Sequence, residues 1–232
     1  MTLPEYIDLY CERTAAGFWN EPINALSNVA FLVAAWLAWR VYARRGRADA
    51  LDLVLILLAA GIGLGSFLFH TLANGWSELA DVIPIWTFVA LFVLVTIYRL
   101  TDENVWATTR IALIVAGSIG AVFWFTSGDV TTDDAAGPGV LNGSLQYLPA
   151  LLALAGFAAV TLIRRHPARW YVTGAAITFL LSLGFRSIDL TTCAASGIGT
   201  HFMWHILNGA MVGLLLQSLL RYLPGRADGS KS

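Results

Sequence analysis

The sequence predicts an all-α polytopic membrane protein, a bundle of seven transmembrane helices with the N-terminus outside and the C-terminus cytoplasmic. Composition is the first observation behind this. Of 232 residues, 57% are hydrophobic and 12% charged, with a mean hydropathy of +0.68, whereas about a quarter of a soluble domain is charged. The second is a set of apolar runs close to the ~20 residues a helix needs to cross a bilayer. The third is where the arginines fall.

In order along the chain, residues 1–24 form a polar outer segment. Its opening, "MTLPEYIDLYCERT", has acidic groups but no basic n-region or apolar h-region, so no cleavable signal peptide is expected. The apolar runs follow at 25–43, 51–70, 81–98, 108–126, 145–163, 170–187 and 201–220, and residues 222–232 are a short tail. The longest polar connection, "TSGDVTTDDAAGPGVLNGS", is loop-like in its Gly, Asp and Thr content. No repeat or second soluble domain is evident, so 1–232 reads as one membrane domain.

With the N-terminus outside, the inner segments hold Arg40, Arg44, Arg45, Arg47, Arg99, Arg110, Arg164, Arg165, Arg169, Arg221, Arg226 and Lys231. Arg13 and Arg186 are left for the other side. Positive residues collect on cytoplasmic loops, which sets the orientation and requires an odd number of spans. The formal net charge of −1 gives no sign of nucleic-acid binding.

This orientation brings the unusual polar residues to one depth. Ser66 and His70 lie at the outer end of the second span, Asp81 begins the third, and His201 and His205 open the seventh. Ionisable groups inside a membrane are costly and mark working sites. In "HFMWH" the two imidazoles are one helical turn apart, on one face. Three neutral imidazoles with a fourth position open make a catalytic zinc site. Phe202 stands where H-E-x-x-H needs its glutamate, so the base must come from elsewhere. Asp81, eleven residues after His70, is the candidate; its carboxylate can take a proton from water attacking a carbonyl. Ser66, one turn before His70, can hydrogen-bond the developing oxyanion or the water. It is also a small residue beside Gly63 and Gly65, suited to a close helix crossing. His166, in "IRRHPARW", reads as a loop residue.

Glu21, Asn24 and Asn28 share one face at the start of the first helix, where capping and interhelical hydrogen bonds account for the two asparagines. Arg186 and Asp189 read as an ion pair or a loop anchor, and Trp19, Trp76, Trp170 and Tyr222 as interfacial anchors.

Together, "FWNEPINALSN", "GSFLFHTL" followed by "DVIP", "SID" and "HFMWHILNG" resemble the alkaline ceramidases, within the CREST group of seven-helix membrane hydrolases. The resemblance covers most of the chain. It implies zinc ligands at His70, His201 and His205, a base at Asp81, and an oxyanion or water partner at Ser66. It also implies a calcium site in the N-terminal segment, for which Asp8, Glu12 and Glu21 are the candidates; Leu9 and Thr14 stand where the eukaryotic enzymes carry an aspartate and an asparagine. Val82 replaces a further acidic residue of those enzymes. The implied substrate is therefore ceramide or another long-chain N-acyl lipid. Thirteen arginines against one lysine suggest a high-GC bacterial source, and hence an inner membrane with the site facing outward. Cys11 and Cys193 both fall outside, where an oxidising compartment permits a disulfide, and the resemblance points to the same pair.

Three functions are consistent with these residues. The first is a zinc-dependent intramembrane lipid amidase, the second a receptor-like or ligand-binding protein of the same architecture with structural zinc, and the third a b-type haem protein. Haem is disfavoured because HxxxH on one helix grips a single small ion more readily than it supplies opposed axial ligands.

Overall fold

The computed structural model describes residues 6–46, 49–126, 140–223 and 225. It is helical throughout, with no strand among the described residues. The helices are α1 (Pro22–Ser27), α2 (Val29–Ala43), α3 (Ala50–Leu72), α4 (Gly75–Leu100), α5 (Val105–Thr126), α6 (Leu148–Ile163), α7 (Arg169–Ile188), α8 (Cys193–Ser196) and α9 (His201–Tyr222), with a 3-10 segment, Val140–Tyr147, before α6. Among the described residues, six segments are long and apolar enough to cross a membrane, α1 and α2 counting together as Pro22–Ala43. The remaining expected span is helical as α5, whose Val105–Gly117 is a shorter apolar stretch. The expected outer loop at 133–139 and most of the tail lie outside the described residues.

Local chemistry sets the helix starts. Asp49 caps α3 by accepting from the backbone N–H groups of Leu51 and Asp52. Asn74 and Ser77 form a capping box, so α4 begins at Gly75. This corrects the expected start at Asp81, which instead lies in the second turn of the helix. The connection from α3 shrinks to Ala73 and Asn74, with Ala73 in the left-handed region at φ 43°.

Two helices are capped from a distance. The Glu12 carboxylate accepts from the N–H groups of Ile23 and Asn24, at 2.7 and 2.8 Å, at the start of α1. The fully buried Asp189 accepts from Thr200 and His201, at 2.7 and 2.9 Å, at the start of α9, and from Cys11 N–H at 3.0 Å. Negative charge at a helix N-terminus offsets its dipole. Here it also ties the N-terminal segment to the last helix. Cys11 and Cys193 form a disulfide across the same junction, with Cα atoms 5.4 Å apart.

Small residues fix the helix crossings. A Cβ on Gly209 would strike Ala30 of α2 at 2.7 Å, and one on Gly213 would meet Ala34 at 3.3 Å. Both positions repeat at i and i+4, so two backbones approach along one seam. Gly63 packs likewise on Asn28 and Phe31, whereas Gly65 faces the backbone of Ala80 and Asp81 in α4. Beneath this layer, Leu55, Ala59, Ile62, Phe88, Phe92, Leu216 and Leu219 make the apolar core. At the far end Arg99 bridges Asp49 and Asp52 at 2.9 and 2.8 Å, and donates to the carbonyl of Leu223 at 2.7 Å. Arg45 joins Asp52 at 2.8 Å.

Candidate metal centre

The last turn of α3, the second turn of α4, the last turn of α7 and the first turns of α9 meet at one end of the bundle. There His70, His201 and His205 are all buried, and one ligand atom from each lies within 4.8 Å of the others. His70 Nε2 and His205 Nε2 are 3.1 Å apart. The three rings meet at steep angles, with centroids 4.6 to 5.3 Å apart.

Other side chains fix the rings from behind. His70 Nδ1 contacts the Glu21 carboxylate, which also pairs with Arg13. Ser27 Oγ is 2.7 Å from His205 Nδ1. A carboxylate or hydroxyl on the far nitrogen of a metal-binding histidine sets its tautomer and orientation. His201 is held differently: Tyr10 stacks on it with centroids 3.6 Å apart, while its Nδ1 is buried without a hydrogen-bond partner. Three imidazoles this close, two backed by oxygen and one with an unpartnered nitrogen, fit a divalent ion that prefers nitrogen, as zinc does.

Asp81 stands beside this cluster. Its side chain is half-buried, its Oδ1 is enclosed without a hydrogen-bond partner, and it interacts electrostatically with His70, Ser66 and Arg186. The absent side chain of Gly65 lets α4 come close enough to bring Asp81 to Ser66.

The acidic N-terminal residues take other partners. Asp8 is exposed and accepts from the Tyr6 hydroxyl at 3.2 Å. Both Glu12 oxygens accept backbone N–H groups, and both Glu21 oxygens accept side-chain donors, from Arg13, His70 and Asn24. Among the described residues the three do not gather as a ligand group. The oxygens of Glu12 and Glu21 are thus engaged by protein donors, and each carboxylate keeps further lone pairs of the kind calcium takes. Burial pushes the Glu12 carboxyl up, against the backbone N–H groups of Asn24 and Ile23. Burial also acts to raise Glu21, but the hydrogen bond and charge of His70, with Arg13, hold it below the usual carboxylate range. Burial pushes the Tyr10 phenol up to about 12, with the Arg186 charge opposing.

Arg186 and Asp189 form no ion pair, which corrects that half of the expectation. Asp189 is a loop anchor through three backbone N–H groups. Arg186 sits among aromatic rings and donates to the Tyr10 hydroxyl at 3.1 Å. Asn24 and Asn28 bond within their own segment, Asn24 to Glu21 and Asn28 to the carbonyl of Asn24, and among the described residues neither side chain makes the expected cap or interhelical bond. His166 lies in the α6–α7 turn, its Nδ1 accepting from Ala168 N–H.

Sequence reasoning did not single out Tyr10, Ser27, Tyr147 or Trp204 for the site. A serine one turn past Asn24, on the face already singled out at Glu21 and Asn24, was the available signal for Ser27. No protein-family model matches the chain, and no curated protein matches it.

Proposed function

We propose that the chain is a zinc-dependent intramembrane hydrolase of long-chain N-acyl amides, as its resemblance to the alkaline ceramidases implies. Its products are a fatty acid and an amine, a sphingoid base in the case of ceramide. The bundle has seven spans, α5 included, with the site towards the outer face of a bacterial inner membrane. The observation that carries the reading is the buried three-histidine cluster beside a carboxylate oxygen that has no hydrogen-bond partner among the described residues.

His70, His201 and His205 would hold the ion. Zinc, when bound, polarises a carbonyl and makes water a nucleophile at neutral pH. Asp81 accepts the proton as water forms the new C–O bond, then passes it to the nitrogen as the C–N bond breaks. Ser66, which interacts with Asp81, hydrogen-bonds the developing oxyanion or the attacking water. Glu21 and Ser27 keep two rings in their metal-binding orientation. A substrate whose tail stays in lipid presents its amide to helix ends without leaving the membrane. The receptor-like reading leaves Asp81 without a task.

The test is incubation of the purified protein with ceramide and a panel of other N-acyl lipids, with and without a chelator. About one zinc per chain, fatty-acid release, loss on chelation and recovery on adding zinc are expected. His205→Ala should lose both zinc and turnover. A wild-type protein that holds zinc but frees no fatty acid from any member of the panel refutes the hydrolase reading and favours the receptor-like one.

A further inference from the structure

Arg186 is a buried cation whose hydrogen-bond partners among the described residues leave half of its guanidinium unused. It is 8% exposed, in the last turn of α7. Among the described residues its side chain makes one hydrogen bond, from Nη1 to the Tyr10 hydroxyl, and forms no salt bridge. Its Nε is enclosed without a partner. The rings of Tyr10, Tyr147 and Trp204 surround it, with centroids 5.6, 5.5 and 5.2 Å from Cζ. Aromatic faces offset the lost hydration of a cation but satisfy none of its N–H groups.

The edge left over, Nε with Nη2, is the one that receives a planar carboxylate through two parallel hydrogen bonds. It belongs to the metal centre. The Tyr10 ring that binds Arg186 stacks on His201, and Trp204 lies between His201 and His205 on α9. An anion held at Arg186 is thus about one aromatic ring away from the histidines.

We infer that Arg186 binds a carboxylate on the amine portion of the substrate, which makes the preferred substrates N-acyl amino acids. The inference rests on the amide-hydrolase reading for its chemistry, and on the geometry of Arg186 for the acid. In such a lipid the carboxylate is two bonds beyond the scissile nitrogen, a short step matching the short separation of the two groups. The Asp81 carboxylate acts on Arg186 electrostatically but forms no salt bridge with it, and a neutral ceramide headgroup offers the Nε–Nη2 edge no carboxylate to pair with. The fatty-acid product also carries a carboxylate, but at the carbonyl carbon, on the other side of the broken bond.

The test compares N-oleoylglycine, its neutral analogue N-oleoylglycinamide and oleate, by equilibrium binding to the full-length protein in detergent, both metal-free and zinc-loaded. Wild type should bind the acid at least tenfold more tightly than the neutral amide and tenfold more tightly than oleate. Arg186→Gln should abolish that preference while binding the neutral amide within about twofold of wild type, with zinc content and the disulfide retained. Arg186→Lys keeps the charge but not the fork, and should fall between; should the Gln variant not fold, this variant and the wild-type ratio decide. Equal binding of acid and neutral amide by wild type, or a preference that survives in Arg186→Gln, overturns the inference. Oleate bound as tightly as N-oleoylglycine, through Arg186, reassigns the residue to the product and overturns it too. Release of glycine is followed in parallel: Arg186-dependent binding without hydrolysis of any lipid refutes the hydrolase reading and leaves acid recognition standing.

Discussion

Asp81 and His205 are both assigned to one centre but should fail in different ways when altered. Asp81→Asn keeps size and hydrogen bonding but cannot take a proton. Zinc measured by mass spectrometry should stay near the wild-type level while fatty-acid release falls by a factor on the order of a hundred or more. Asp81→Asn with wild-type turnover would exclude it as the base. The histidines and Asp81 were legible because each is a polar residue in an apolar run, and because HxxxH makes sense only as one face of a helix. Tyr10 and Ser27 were not, and Arg186 was read only with its neighbour Asp189, since the contacts that define them span great distances in the chain: 178 residues for Ser27 to His205 and 176 for Arg186 to Tyr10. No local period encodes such a meeting. Glu21 was seen as an acidic ligand for calcium; its partners, Arg13 and His70, belong to different segments, and only the fold brings them together.

Among elements, the α3–α4 crossing does most to place the chemistry. A methyl group at residue 65 would overlap the backbone carbonyl of Ala80, and that contact cannot rotate away. Gly65→Ala should therefore push α4 outward, costing about 1–3 kcal/mol in stability. Thermal unfolding should shift down, and turnover should drop more than zinc content does, because Asp81 rides on α4 while all three ligands do not. Equal losses of zinc and turnover would show instead that the crossing supports the whole centre. The small residues around Ser66 were readable as a crossing. The matching seam of Gly209 and Gly213 on Ala30 and Ala34 was equally open to reading, as a small-xxx-small repeat, yet was overlooked beside the histidines. The expected α4 start lay six residues too late, because the polar first turn is not part of the apolar run; the reciprocal bonds of Asn74 and Ser77 cap the helix there.

For the whole molecule, orientation and span number are one claim. A reporter fused after Ser232 should be cytoplasmic, and a tag inserted between Asp133 and Gly139 should be reached from outside. The opposite result for either would break the common depth assigned to the site. The bundle is fastened at both ends, by the buried Arg99 pairs with Asp49 and Asp52 at one and by Asp189 and the Cys11–Cys193 bond at the other. That second fastening also sets a timetable. Tyr10, Glu21 and Ser27 leave the ribosome early, while His201 and His205 belong to the last helix, and the disulfide closes over 182 residues. Tyr10 and Ser27 must wait for His201 and His205 until the final helix is in place. A ribosome stalled before that helix leaves in the membrane a chain with one imidazole of the three and no second wall for Tyr10 to stack on. Hydrolytic power of the kind proposed would then arrive at a single moment, on completion of the bundle, and a half-built chain would be harmless to the lipids around it.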